Sequence, residues 1–446
     1  ASQLYPNYSN VQKVVESIYQ NVLGKSPTDD PNGIAYWVGE INAGHTTVGK
    51  VAADIIYVAK TKYPNDPATK TLGNRADVAV YVADNIPNSD INGDGKTDKV
   101  DFDLFKNFIA NVTNDPATVN TAKSLADGYK PVNVSLTTGT DTITGSKAAD
   151  TFNAVVSSLS SEATLNSGDK VDGSDGIDTL NISMKGSFAG IGSGYIKNIE
   201  KINLKNETII DRTFDAKNIS GVETYNLTGS DAGNSISLSN LGEAGIEINF
   251  KNMSRDATIT FDSNTNLSGS SDAMVIGVNN LGKPDPTPNN GIDNATYTKI
   301  TMSKIENITV NTSGSKSYVD MSGFQSATSI TVKGDQDLAI KNIPSTLTAF
   351  DASNNSGAIT ADFTNATAGK LGTIKTAGKD DVVSIKTSTI NIAPTIDLGN
   401  GNDKLKLDVA AAATIQPVMN GVDTLELTNL GGNLTFSAAK TTGLMQ

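Results

Sequence analysis

The chain has no cysteine, one histidine and one tryptophan among its 446 residues, and aromatic residues make up only 6% of it. Without cysteine there can be no disulfides, thiolate zinc sites, iron–sulfur clusters or cysteine nucleophiles, so redox chemistry says nothing about compartment. A single histidine cannot supply the ligand pair of an HExxH zinc site, and no serine motif accompanies it to build a hydrolytic triad. His45, in the segment INAGHTTVGK, is expected at the surface near a helix start. Basic residues are also scarce: 35 Lys and Arg face 48 Asp and Glu, for a net charge of −13. A chain of that balance has no broad basic footprint for nucleic acid or an anionic membrane, and divalent cations suit it better. No apolar run approaches the ~18 residues of a membrane-spanning helix, and residues 1–20 lack the basic and apolar regions of an uncleaved secretory signal.

What is present is written in two alphabets. From Val11 to about Lys130, apolar residues recur at helical spacing, as in Val11, Val14, Val15, Ile18 and Tyr19, and again in Val48, Val51, Ile55 and Ile56. Ser9 or Asn10 is placed to cap the first helix, and SPTDDPNG and YPNDPATK are connectors rich in breakers. After Pro131 the residues become Thr, Ser, Asn, Gly, Asp, Val and Ile in short alternating segments such as TITFDSN, SITVKGD and DTLNISM, the signature of strands. The expected fold is multidomain, a small all-α domain followed by an all-β region that is partly parallel β-helix or stacked β-sheet. Its expected divisions are 1–130, 131–285 and 286–446, with GKPDPTPNNG from Gly282 to Gly291 as the internal boundary or a long surface loop. Four related phrases support stacking: YIKNIEKINLKN, ISGVETYNLTG, TMSKIENITVNTSG and MNGVDTLELTNLGG. Each joins a small turn to an acidic residue and two alternating apolar positions, a unit that needs neighbours to bury its inward side chains.

The strongest ligand pattern is DINGDGKTDKVD, from Asp90 to Asp101. Asp90, Asn92, Asp94, Asp98 and Asp101 stand at loop positions one, three, five, nine and twelve. Lys96 supplies a backbone carbonyl at seven, and Gly95 falls at six, where the chain must turn sharply. That arrangement offers a hard cation, Ca2+, its oxygen ligands, and VDFDLFKNFIAN continues from it as an exiting helix with Leu104, Phe105, Phe108 and Ile109 facing inward. The loop resembles those of EF-hands and, in ending on Asp, those of dockerin modules. A dockerin has two such loops and this chain has one, so its partner is not implied. Weaker phrases lie in the strand region. GSDGIDTLN places Asp178, and GNGNDKLK places Asp403, where the calcium-binding nonapeptides of RTX proteins carry their aspartate. Because these copies are isolated, an ordinary Gly-Asp turn feeding a strand is the competing explanation. Looser relatives contain Asp141 and Asp150, and Asp380 and Asp381.

Catalysis is not expected. Glu200, Glu223, Glu306, Asp178 and Asp423 are possible ingredients of a glycan hydrolase, but no local pattern sets two of them across a sugar. Tyr36 and Trp37, in GIAYWVGEINAG, are expected to pack in a helical core, with direct sugar stacking by Trp37 as the alternative.

The segment YQNVLGKSPTDDPNGIAYWVGEINAG resembles the DUF4214 helical domain of secreted bacterial surface proteins, through Tyr19, Leu23, Gly24, Asp30, Gly33, Tyr36, Trp37 and Gly44, with Lys25 in place of the usual Arg. Combined with the RTX-like phrases, it is similar to proteobacterial surface-layer proteins. That resemblance implies extracellular localisation at the cell surface and export without an N-terminal signal. It further implies anchoring to lipopolysaccharide or another surface glycan through residues 1–130, and self-association of the β region into a lattice. A secreted adhesin or carbohydrate-binding module is the alternative, and a calcium-stabilised glycan-active enzyme a more distant one.

Overall fold

The computed structural model describes the chain except residues 1–9, 87–89, 92–95, 288–293, 368, 410–412, 430, 432 and 443–446. It divides into two units. One comprises the residues up to Asn133 with Gly145–Asp150 and Gly173–Asp178; the other holds Val134–Thr144, Thr151–Asp172 and the chain from Thr179 onward.

The first unit carries six α-helices among its described residues: α1 (Val11–Ile18), α2 (Pro31–Asn42), α3 (Val48–Lys62), α4 (Pro67–Asn85), α5 (Lys99–Ala110) and α6 (Pro116–Asp127). Their starts follow from side-chain oxygens that satisfy the first free N–H groups: Asn10, Asp30, Thr47, Asp66, Asp98 and Asp115 each accept one. Proline stands at the opening of α2, α4 and α6, where its missing N–H costs nothing. The breakers expected to separate helices therefore begin them.

Two apolar clusters share α4. Ala68 and Leu72 join a cluster with Val14, Ile18 and Ile55, whereas Val78 and Val82 join Phe108, Ala122 and Ala126. Arg75 lies between them on the same helix. Its guanidinium donates to the carbonyls of Gln20 at 2.7 Å, Asn21 at 2.5 Å and Val112 at 3.2 Å. Those carbonyls belong to chain leaving helical segments, where backbone oxygens lack intrahelical partners and the dipole is negative. One cation thus ties both clusters to α4, and its partial burial lowers its pKa.

The second unit is a parallel β-solenoid. Thirteen strands form one sheet, ten a second and four a third, every named pair within them parallel. Alternating burial along Thr151–Val156, Thr179–Met184 and Asn307–Thr312 turns every second side chain inward. Registers stack these side chains into columns. Phe152, Leu180, Ile202, Tyr225, Ile248, Ile276, Val310 and Val332 succeed one another, all 2% exposed or less. Each buried side chain of this size contributes about 1.5–3 kcal/mol before conformational entropy is counted. Thirteen strands at ~4.8 Å spacing give this sheet a span of roughly 60 Å.

The repeated phrases are the corners that lead into strands. Asn198, Gly221, Lys304 and Gly421 adopt left-handed φ of 52°, 81°, 68° and 64°. Each is followed by a buried apolar residue (Ile199, Val222, Ile305, Val422), an acidic residue, and the first residue of a strand. The uneven spacing of the phrases has a simple origin: only some turns carry them, and the distance along the chain between paired residues varies from 19 between Leu371 and Ile390 to 34 between Val275 and Thr309 in the thirteen-stranded sheet, and reaches 43 between Ala257 and Ile300 in the ten-stranded one. The longest turn contains the excursion around 285/286, closed by an antiparallel bridge between Lys283 and Thr296. Strand Ala273–Asn279 pairs directly with Asn307–Thr312 across it, so the expected domain boundary falls inside a continuous sheet.

An outward column carries a side-chain ladder. Asn181, Asn203, Asn226 and Asn249 each donate from Nδ2 to the Oδ1 of the asparagine one turn earlier, beginning at Asn153, over 3.1, 2.8, 2.8 and 3.0 Å. The column ends at Gly277, where a Cβ would lie 1.7 Å from Asn249 Oδ1. Asn226→Ala removes one bond given and one received; the expected loss is about 1–3 kcal/mol, read as a lower urea midpoint, and an unchanged midpoint would show that the ladder carries no stability.

Candidate functional site

In the loop before α5, Asp98 caps the helix by accepting the Val100 N–H at 2.7 Å. Asp101, only 3% exposed, reaches back to accept the N–H of Asp98 at 2.9 Å and that of Ile91 at 2.6 Å. The two ends of the loop are therefore closed on one carboxylate, and Asp90 is half-buried beside buried Ile91. Asn92, Asp94 and Gly95 lie outside the described residues, and the Lys96 side chain is exposed. The exiting helix is Lys99–Ala110, with Phe108 buried and Leu104, Phe105 and Ile109 packed against the same cluster. Among the described residues, no group of three or more His, Asp or Glu side chains is gathered closely enough to hold a metal ion.

Asp178 and Asp403 occupy the same kind of corner as the phrases, immediately before strands Thr179–Met184 and Lys404–Val409. Both are fully buried. Asp178 Oδ1 accepts the N–H of Asp150, one turn earlier, at 2.7 Å, and Asp150 accepts that of Val132 at 2.6 Å. Asp403 belongs to a longer series: the N–H groups of Ile359, Asp381 and Asp403 donate to the carboxylates of Asp381, Asp403 and Asp423 at 2.7, 2.8 and 2.7 Å. Each carboxylate holds the backbone of the preceding turn at the point where it enters a strand. Asp169 does the same, its Oδ1 accepting the N–H of Asp141, one turn earlier, at 2.9 Å.

Glycine makes the corners possible at two of these positions. Gly176 and Gly401 have φ of 115° and 145°, and a Cβ on either would sit 2.4 Å from a carbonyl oxygen of the adjacent turn, Ala148 or Lys379. The Gly-Asp turn feeding a strand, the competing explanation for both phrases, thus describes what the backbone does. It leaves room for further chemistry at Asp381 and Asp403. One oxygen of each, Oδ2, is buried and accepts no hydrogen bond among the described residues. Burial raises the pKa of both, that of Asp403 to about 6, with neighbouring Asp381, Asp423 and Asp380 adding to it. Asp169 is likewise raised by burial.

The residues weighed for hydrolysis separate onto corners of different turns: Glu200, Glu223 and Glu306 precede strands of the thirteen-stranded sheet, Asp423 one of the ten-stranded sheet. His45 is exposed and 3.4 Å from Glu40. Trp37 lies half-buried on α2, but Tyr36 is 58% exposed rather than packed in a core. Sequence reasoning did not find the asparagine ladder, although its signal is legible in TLNISM, KINLKN, TYNLTG and EINFKN, where Asn sits between two apolar residues each time. It also missed that Asp178 and Asp403 and the acidic residues of the four phrases hold one structural position.

The pH response of Asp403 has a definite sign. Its carboxyl is protonated more readily folded than unfolded, where the ordinary value is 3.8. Between about pH 4 and 6 the native chain holds the extra proton, so this group's stabilisation is present at the acid end and is lost as pH rises through 6. Asp403→Asn keeps an acceptor for the Asp381 N–H and removes the titration. In chelator, the wild type should gain stability relative to this variant on going from pH 7 to pH 5; a relative loss would contradict the assignment.

The chain matches no protein-family model and no curated protein sequence.

Proposed function

We propose that this chain is a calcium-stabilised structural protein of a bacterial surface layer, its helical unit attaching to surface glycan and its solenoid self-associating. The observation that carries the reading is the thirteen-stranded parallel sheet with one continuous core. A rod of stacked turns places its outward side chains at fixed intervals, as a lattice component needs, and its stability is the sum of interfaces between neighbours. No helix among the described residues is long and apolar enough to cross a membrane, so attachment through the helical unit would rest on surface recognition.

Calcium would bind at the loop through Asp90, Asn92, Asp94, Asp98 and Asp101 with the Lys96 carbonyl, and a cation there would supply neutralisation of the loop's acidic charge. The loop leads directly into α5, whose Phe108 lies in the cluster shared with α4 and α6, so a bound cation would stiffen the packing of three helices. At the solenoid corners the free oxygens of Asp381 and Asp403 are the residues suited to a cation between turns. The role assigned to both sites is structural; none of these carboxylates is given a catalytic step.

The test is negative-stain electron microscopy of the full chain in calcium and after chelation, paired with calcium titration of Asp94→Ala. Ordered sheets or rings should form in calcium and disperse on chelation, and the variant should bind one equivalent less and melt earlier. At calcium 100-fold above its dissociation constant, the lost site is worth about 2.7 kcal/mol. A chain that stays monomeric in calcium yet binds a glycan would favour the adhesin instead, and unchanged stoichiometry in the variant would reject the loop.

A further inference from the structure

We infer that the cleft between the start of α2, the end of α3 and the start of α4 is a binding pocket for one neutral or amino hexose unit of a surface polysaccharide. This rests on the glycan-attachment reading above and names the site and the sugar class for it. The cleft has a volume of about 270 Å³ and is lined by Tyr19, Lys25, Asp30, Trp37, Tyr63 and Asp66, among others. Its composition is unusual for this chain. The only tryptophan and two tyrosines converge there, in a protein that is 6% aromatic overall.

The floor is built. Tyr19 is 4% exposed, and its hydroxyl and Asp30 Oδ2 both press on Gly33, lying 2.5 and 2.3 Å from where a Cβ would stand. Only glycine permits that approach. Asp30 Oδ1 accepts the Gly33 N–H at 2.9 Å, and Trp37 and Asp30 both hydrogen-bond the Tyr19 phenol. Burial, then the Asp30 charge, push that phenol up to about 12, so it stays a neutral donor at any physiological pH. Asp66 is fixed in the same manner, accepting the Ala68 N–H at 2.7 Å. The carboxylates are therefore oriented before any ligand arrives, and each keeps lone pairs for hydroxyl groups.

A pyranose needs an apolar wall for its C–H face and fixed acceptors for its hydroxyls. Trp37 and Tyr63 supply the wall, and Tyr63, 61% exposed, stands at the open rim. Charge sets the class. Two carboxylates against the one ammonium of Lys25 leave the lining net negative, which repels uronates and phosphates and accepts neutral or amino sugars.

Because Trp37 is the sole tryptophan, its emission reports on this cleft alone. With the full chain, titration with glucose, N-acetylglucosamine and glucosamine should give a saturable change in emission for at least one sugar, and glucuronate none. Tyr63→Ala should weaken that binding about tenfold. Asp30→Asn keeps a residue type that caps helices well and should let glucuronate bind measurably while the neutral sugars still bind, a gain that lost folding would not produce. No saturable change with any of the four sugars, or equal binding of glucuronate and glucose by the wild type, overturns the pocket. Co-sedimentation of the chain with lipopolysaccharide vesicles separates the two claims. Vesicle binding by Tyr63→Ala as strong as the wild type's overturns the pocket and leaves the attachment reading intact, whereas no vesicle binding by the wild type overturns the attachment reading.

Discussion

A single turn of this solenoid cannot satisfy itself. Its inward side chains need neighbours above and below to be buried, and corner N–H groups such as those of Ile359, Asp381 and Asp403 find their acceptor on the next turn. The apolar columns meet the first need, with Phe152 through Val332 stacked in register and buried. Carboxylates and amides meet the second, as Asp381, Asp403 and Asp423 each take a backbone N–H from the preceding turn. Because contacts between neighbouring turns recur along the whole sheet, stability is distributed along the stack. The turn-to-turn bonds explain why buried acids are tolerated in a fold with few nearby cations. Each is held by an oriented backbone donor, and what remains of its desolvation cost appears as a raised pKa.

The helical unit obeys the opposite logic. Its two apolar clusters are small, and they are joined by α4 and by Arg75, which gathers the carbonyls of Gln20 and Asn21, after α1, and of Val112, after α5. Asp101 performs the reciprocal task at the start of α5, gathering N–H groups from loop positions two and nine. Cation at helix ends and anion at a helix start are the arrangements that helix dipoles favour. A hard cation in the 90–101 loop would add charge neutralisation to a closure that the protein already makes.

Much of this was legible in the residues because period and punctuation are local properties. Val14, Val15 and Ile18 repeat at helical spacing and are buried, and DTLNISM alternates and is a strand. The exiting helix after the loop was readable for the same reason. Register was not, because it depends on turn length, which varies between 19 and 43 residues without any local mark. That is why Pro-rich 282–291 looked like a boundary although the strands on either side pair directly. Asp178 and Asp403 illustrate the same limit. Their glycine and aspartate spacing marked a tight turn feeding a strand, but only stacking shows that the first partner of each carboxylate is the N–H of the turn before. Tyr36 was misplaced because adjacent aromatics on a helix cannot share one face, and it is Trp37 that turns toward the cluster.

The central claim is that corner carboxylates hold successive turns together. Amide hydrogen exchange at Ile359, Asp381 and Asp403 in chelator tests it most directly, since their N–H groups donate to side chains and lie just outside or at the start of the strands. The account predicts protection as strong as that of Val383 and Leu405 within the neighbouring strands. Exchange at the rate of open turn residues would contradict it.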